Sequence, residues 1–261
     1  MRTFQDIQSH FQGNFKMEGV PYCCAVCDDL ILIGFSDGSV FVYDQDEAPL
    51  RHLKDKSVKN SSVVSMDVTM SDSGVTILAT GHQKGQVAIW EISDSRNLTG
   101  KHIKSQETCF RQAVVCLKFY GTSYEDDYNT SSKPCYRVIA SDLEGEVYLI
   151  WFLETAVLKI RKISAHAQLL MKPSAGGFFS ITSITLDPER QAQKILFALG
   201  SLDMVMILEI KNIEGKVIQK IPRPNYVQPG SVPYLAWGFG LTPVFRDRAY
   251  FLLAITWGQT V

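Results

Sequence analysis

The chain has 261 residues, 46% of them apolar and 20% charged, with a formal net charge of −1. That length allows one large domain or two small ones, and the composition is that of an ordinary globular core. A charge this close to zero supplies no basic field for phosphate, which excludes nucleic acid as the main partner.

Residues 1–17 lack the continuous apolar stretch of a secretory signal. Phe4, Ile7, Phe11 and Phe15 share one face at helical spacing. They read as a short N-terminal helix docked on the domain that follows, with an apolar face for a partner as the alternative. No run approaches the ~20 apolar residues of a membrane-spanning helix. The longest candidate, 195–210, is broken by Gly200, Ser201 and Asp203. The expected location is the cytoplasm. The six cysteines (Cys23, Cys24, Cys27, Cys109, Cys116 and Cys135) fit it, since they lack the spacing of a disulfide framework.

Val20, Tyr22, Cys24 and Val26 alternate as on one face of a strand. Cys24 and Cys27 form a CxxC, but a structural zinc site needs two further ligands, and neither a second CxxC nor an HxxxH is present. The cysteines read as small buried apolar residues.

From residue 30 one phrase recurs. Each copy has an apolar run (30–33, 77–79, 137–140) and a polar turn closed by Gly38, Gly85 or Gly145. A β-branched and aromatic strand follows (Val40 and Val42, Val87 and Ile89, Val147 and Leu149). Glycine supplies the positive φ of a tight hairpin, and the period-two alternation after it marks a strand. A lead strand precedes the second and third copies, over 63–68 and 114–119. Gly38 and Gly85 lie 47 positions apart, and Gly85 and Gly145 lie 60 apart. The excess matches a 14-residue polar insertion, 121–134.

A fourth copy has strands over 181–186, 195–199 and 205–210, with the turn Ser201-Leu202-Asp203-Met204 and Asp203 standing where glycine stood. A fifth starts at 232–237 and continues at 250–256. Multi-strand repeats of this period indicate propeller blades, which bury both faces by stacking. The expected fold is all-β, a WD-repeat-like β-propeller over 18–261 with about four to five blades, cut off within the fifth.

Chemistry-bearing motifs are not found. There is no GxSxG elbow, P-loop or strand-GxGxxG-helix unit. His82 reads as a turn residue, and the other histidines are scattered. The sequence predicts no catalytic residues, no cofactor and no metal.

Residues 36–44, SDGSVFVYD, look like the closing phrase of a WD repeat, with Tyr43 where tryptophan is usual. The second copy keeps Trp90, places Glu91 for aspartate, and has Lys84 where the first copy has the turn residue Asp37. The hydrogen-bonded side-chain tetrads of regular WD repeats are therefore not expected. The ordered series GVPYCCAVCDDLILIGFSDGSVFVYDQ, ILATGHQKGQVAIWEI, RVIASDLEGEVYLIWF, LFALGSLDMVMILEI and PGSVPYLAWGFG…FLLAITWG covers most of 19–258. It resembles the N-terminal propeller of the family of vacuolar protein sorting-associated protein 8.

That resemblance implies a non-catalytic scaffold in an endosomal tethering complex, CORVET. It implies a Rab GTPase of early endosomes and the class C core subunits as partners of the full-length protein. Membrane association would be peripheral, at endosomes, and only through those partners. A different WD-repeat scaffold, such as a ubiquitin-ligase adaptor or a coat subunit, and a propeller enzyme are the alternatives. The structural positions expected at the blade turns are Asp37, Gly38, Gly85, Trp90 and Gly145. The candidate partner-contact loop is the insertion, with Tyr124, Glu125, Asp126, Asp127 and Tyr128, whose aromatic and acidic mix suits a basic surface. A tolerated surface insertion is the plain alternative. The Pro-rich connector 221–233 cannot be helical and bridges two blades.

Overall fold

The computed structural model describes residues 19–27, 29–46, 49–71, 74–93, 99–106, 110–120, 132–157, 160–172, 176–186, 194–211, 214–240 and 250–257. The expected N-terminal helix and most of the insertion, 121–131, lie outside the described residues. Every regular element among the described residues is a strand.

The first blade holds β1 (Pro21–Cys27), β2 (Leu30–Phe35), β3 (Val40–Asp44) and β4 (Pro49–Leu53). The second holds β5 (Val63–Met70), β6 (Thr76–His82), β7 (Val87–Ser93) and β8 (Thr99–Gln106). The third holds β9 (Cys116–Phe119), β10 (Ser132–Ser141), β11 (Val147–Val157) and β12 (Ile160–Met171). The fourth holds β13 (Ser180–Leu186), β14 (Lys194–Gly200), β15 (Met204–Lys211) and β16 (Glu214–Pro222). A two-stranded sheet, β17 (Pro233–Gly240) with β18 (Tyr250–Trp257), follows. Each sheet is an antiparallel meander in chain order. The first strands contact one another from blade to blade, β1 with β5, β5 with β9, β9 with β13 and β13 with β17. The last strands of the first three blades do likewise, β4 with β8 and β8 with β12. This is a β-propeller, with the first strand of each blade innermost.

The core lies between blades. Leu32, Val40 and Val42 of the first blade meet Val63, Leu78, Trp90 and Ile92 of the second. Ile77, Ala79 and Ile89 meet Val138, Ala140, Ile150 and Phe152 of the third. Ile139, Val147 and Leu149, on the other face of that third sheet, meet Phe197, Leu199, Met206 and Leu208 of the fourth. The second strand of each blade is therefore apolar on both faces, which is why it reads as a continuous run such as LILI or VIA.

Two expectations are corrected. The sequence reading finds three strands per copy, and the structure adds a fourth. β4, β8, β12 and β16 form the blade rim; β8 is mostly polar and β16 is exposed along nearly its whole length, whereas β12 packs Ile163, Ala165 and Ala167 against the core. The predicted insertion also ends early, because Ser132, Lys133 and Pro134 belong to β10 and pair with Thr155, Glu154 and Leu153. Pro134 is tolerated because β9 reaches only as far as Val138 and a bulge follows the proline.

Phe197 is fully buried in the joint between the third and fourth blades and meets Tyr120 edge-on at 5.3 Å. We expect Phe197→Ala to cost about 3–5 kcal/mol, read as a lower urea midpoint with an unchanged slope.

Candidate interaction surface and the blade joints

Three turns share one geometry. In the first, Phe35 N–H donates to the Ser39 carbonyl (2.9 Å) and Gly38 N–H to that of Phe35 (3.2 Å). The second repeats this from His82 to Gln86 (2.9 Å) and Gly85 to His82 (3.1 Å), the third from Asp142 to Glu146 (3.1 Å) and Gly145 to Asp142 (3.2 Å). Gly38, Gly85 and Gly145 hold φ of +87°, +79° and +90°, a region that favours glycine.

The glycines meet a second requirement. A Cβ on Gly38 would lie 2.3 Å from the Val58 carbonyl oxygen, on Gly85 2.2 Å from that of Phe110, and on Gly145 2.3 Å from that of Gly176. All three carbonyls sit in the connector that leads to the next blade. Backbone hydrogen bonds stitch the same seam, from Asn60 to the Asp37 carbonyl (3.1 Å), Gln83 to Ser62 (2.9 Å) and Leu143 to Ala113 (3.0 Å).

Each joint carries its own side-chain chemistry. Asp37 Oδ1 accepts from the Ser39 backbone (3.1 Å) and hydroxyl (2.6 Å), while Oδ2 pairs with Lys54 Nζ at 2.9 Å. Desolvation pushes the Asp37 carboxyl up, and the Ser39 and Lys54 bonds outweigh it, so its pKa lies below the ordinary value.

In the second blade a buried hydrogen-bonded chain links Trp90, Thr80, His82 and Ser61. Trp90 Nε1–H donates to Thr80 Oγ1 (2.9 Å), Thr80 meets His82 Nε2 (2.9 Å), and His82 Nδ1 meets the Ser61 carbonyl (2.8 Å). A carbonyl only accepts, so Nδ1 carries a proton and donates it to Ser61. His82 does open the turn, as read from the sequence. It is also fully buried and joins two blades. Its spacing from Thr80 and Trp90 is the signal that could have revealed this.

In the third blade Asp142 is fully buried. Its Oδ1 accepts from the Glu144 and Glu146 backbones (3.1 and 2.8 Å), while Oδ2 has no partner. Burial raises its pKa, opposed by donation from the Glu146, Gly145 and Glu144 backbones.

The fourth joint differs. Ser201 N–H donates directly to the Met204 carbonyl (2.9 Å), and Ser201 Oγ accepts from Asp203 and Met204 (3.3 and 3.1 Å). This turn is one residue shorter, so Asp203 does not take glycine's place as the sequence suggests; that position is deleted. The seam persists through Arg223 N–H to the Asp203 carbonyl (2.7 Å). The connector does bridge two blades, and it displays Tyr226, 89% exposed, at its tip.

Inner strands add ties between blades. Asp67 on β5 pairs with Lys118 Nζ (2.7 Å) and accepts from Phe119 N–H (2.8 Å) on β9. Ser65 Oγ donates to the Val114 carbonyl at 2.5 Å.

The CxxC lies in β1, where successive side chains face opposite ways, so Cys24 and Cys27 cannot converge on one metal ion. Cys24 is exposed, which corrects the expectation that these cysteines are buried. Cys23, on the opposite face, is the packed one, and burial pushes its thiol up to about 12. Among the described residues no group of His, Cys, Asp or Glu is placed to hold a metal, and no helix is long and apolar enough to cross a membrane.

The candidate loop residues Tyr124, Glu125, Asp126, Asp127 and Tyr128 lie outside the described residues. Their anchors are described: β9 ends at Phe119, opposite Val138, and β10 starts at Ser132. The insertion therefore leaves the blade at the end away from the glycine turns, where β10 and β11 continue past β9.

A model of the Vps8 β-propeller family matches residues 5–261. No curated protein matches the chain. Among solved structures, the N-terminal domain of Nup159 is similar at 13% identity, covering 92% of this chain and 63% of that one, with a TM-score of 0.48. The Dos1 propeller is similar at 12% identity, covering 83% and 50%, with a TM-score of 0.48. The computationally designed Ika8 protein is similar at 12% identity, covering 85% and 66%, with a TM-score of 0.44. The chain thus spans half to about two thirds of the length of these solved chains.

Gly74 has a φ of +75° but open space around its Cα. Gly74→Ala should therefore cost only the backbone term, about 1 kcal/mol, whereas Gly85→Ala, which adds the Phe110 collision, should cost roughly 3 kcal/mol or more. Chemical denaturation of both variants compares them directly. For Asp142, a folded pKa raised above the ordinary 3.8 means that the folded state binds more protons between the two values. Its contribution grows more favourable as pH falls through that window. Asp142→Asn should remove that acid-side gain and raise stability at pH 7, read from melting temperature against pH.

Proposed function

Because the chain belongs to the Vps8 β-propeller family, we propose that it is the propeller scaffold of an endosomal tethering subunit. In this reading it acts in vesicle docking and fusion and in transport to the vacuole or lysosome. The observation that carries the proposal is the family match over residues 5–261. A vacuolar sorting role for that family makes the work of this chain recognition of protein partners, with no chemistry of its own. An activated Rab GTPase of early endosomes is the partner proposed for the propeller, and the class C core subunits of CORVET are those proposed for the full-length protein. Endosomal membrane attachment would follow from those contacts.

A scaffold of this kind works by presenting loops from a frame that does not deform. The backbone seams between blades support that view. We place the Rab contact on the insertion with Tyr124, Glu125, Asp126, Asp127 and Tyr128. It leaves the third blade opposite the glycine joints, so its sequence is free of their geometric demands. Its two acidic residues beside tyrosines suit a basic, partly apolar surface.

The test uses the full-length protein and an early-endosomal Rab held in its GTP state. Binding is expected to the GTP form over the GDP form. Removing residues 121–131 should weaken it at least about tenfold, roughly 1.4 kcal/mol, without changing the melting temperature. Full binding by the deleted protein would move the contact elsewhere on the propeller. Failure of the intact protein to bind the Rab or to co-purify with class C core subunits would overturn the tethering role.

A further inference from the structure

The second glycine turn lies between two connectors, and all three segments carry cations. Lys84 N–H donates to Ser61 Oγ (3.1 Å), and Gln86 Nε2 donates to the Ser57 carbonyl (2.9 Å), so the turn rests against the connector 54–62. On its other side Gly85 comes so close to the connector 110–113 that an added Cβ would lie 2.2 Å from the Phe110 carbonyl oxygen and 3.2 Å from that of Gln112. Lys56 and Lys59 stand on the first connector, Lys84 on the turn and Arg111 on the second connector, and all four are exposed. They form one basic strip across the first two joints.

The carboxylates nearby leave the strip positive. Asp37 is held by Lys54 at 2.9 Å and by Ser39. Asp55 is the one carboxylate among the described residues of these three segments, and its Oδ1 accepts from the Ser57 backbone and hydroxyl (2.9 and 2.7 Å). Glu144, on the third turn, accepts from Gln112 at 3.1 Å and bounds the strip on that side. The whole chain carries a net charge of −1, so this concentration of positive charge is local. Gathering like charges costs self-repulsion, and the turn does not demand it. The residue before the turn glycine is Asp37 in the first copy, Lys84 in the second and Glu144 in the third, so the seam accepts either sign.

We propose that this strip is a docking site for an acidic, extended peptide segment of a partner protein. Charge complementarity carries the assignment. The seams fix the backbone of all three segments, so a partner's carboxylates meet cations on a frame that needs no ordering. An acidic peptide fits better than an anionic bilayer. The same end of the propeller carries the exposed residues Glu144 and Asp203 on the third and fourth turns, which a negatively charged membrane would repel. A narrow peptide lies along the strip and avoids them. The strip is at the end of the blades opposite the third-blade insertion, so the two surfaces do not compete, and the proposal stands apart from the tethering role.

The test uses the complete chain and a fluorescein-labelled peptide of alternating glutamate and serine, with a glutamine-for-glutamate version as control. The glutamate peptide should bind, more weakly as salt is raised, and the glutamine version at least about tenfold less tightly. Lys59→Glu, Lys84→Glu and Arg111→Glu together should weaken binding at least about tenfold without changing the melting temperature. Lys216→Glu with Lys220→Glu, on the exposed rim strand β16, should leave binding within about twofold of native. Carbodiimide coupling of the bound peptide to the native chain, mapped by mass spectrometry, reads the site without any variant, with adducts expected at Lys56, Lys59 and Lys84. Adducts mainly elsewhere, no binding of the glutamate peptide, full binding by the triple variant or an equal loss in the rim variant would each overturn the proposal. Binding to phosphatidylserine–phosphatidylcholine vesicles that the triple variant abolishes and the peptide does not compete with would assign the strip to a membrane instead.

Discussion

The structure depends on a place where a side chain is forbidden. At three of the four joints a turn glycine sits so close to the next connector that even a methyl group would meet a carbonyl oxygen. At the first two of these joints the backbone of one blade hydrogen-bonds the backbone entering the next, and at the third Phe178 N–H donates to Ser141 Oγ. Apolar burial between sheets is non-directional and would tolerate some sliding. The seam of directed bonds at one end of each joint removes that freedom and sets the angle between blades. The fourth joint reaches the same end by shortening the turn and using Ser201 as its internal acceptor, so the constraint is on the seam and not on glycine itself.

Much of this was legible in the sequence. A turn closed by Gly38, Gly85 or Gly145 and followed by alternating apolar residues is a strong local signal, because positive φ and strand periodicity both leave a mark on residue type. The partner of each glycine leaves no such mark. Val58, Phe110 and Gly176 contribute only a carbonyl oxygen, which every residue has. Rim strands such as β8 and β16 were missed for a related reason: they owe their place to hydrogen bonding with an inner neighbour and carry little apolar periodicity. Ser132 to Pro134 look like loop, and become strand only because β11 runs long enough to pair with them. Cys24 alternates like a buried residue, yet lies on a face the described blades do not cover.

The joints are alike in backbone and unlike in side chains. A carboxylate–lysine pair serves the first, a tryptophan–threonine–histidine chain the second and a buried aspartate the third. Backbone geometry is thus the shared requirement, and side chains supply local reinforcement that varies between copies. This division suits a scaffold. The end of the blades bearing the seams is committed to holding the frame. The opposite end, where the insertion of the third blade emerges, is free to vary without disturbing the blade angles. The tethering role proposed above would use that separation, with partners reached by exposed loops from a frame of fixed shape.

The most direct test of the seam as the governing constraint is hydrogen exchange, followed strand by strand, in the native protein and in Gly145→Ala. The added methyl lies at the joint between the third and fourth blades, 2.3 Å from the Gly176 carbonyl oxygen. If the seam sets the frame, amides in the strands on both sides of that joint, β9 to β11 and β13 to β15, lose protection together. Faster exchange confined to residues 142–146, with both sheets as protected as before, would show that the blades are held by apolar packing alone and that the glycine serves only its own turn.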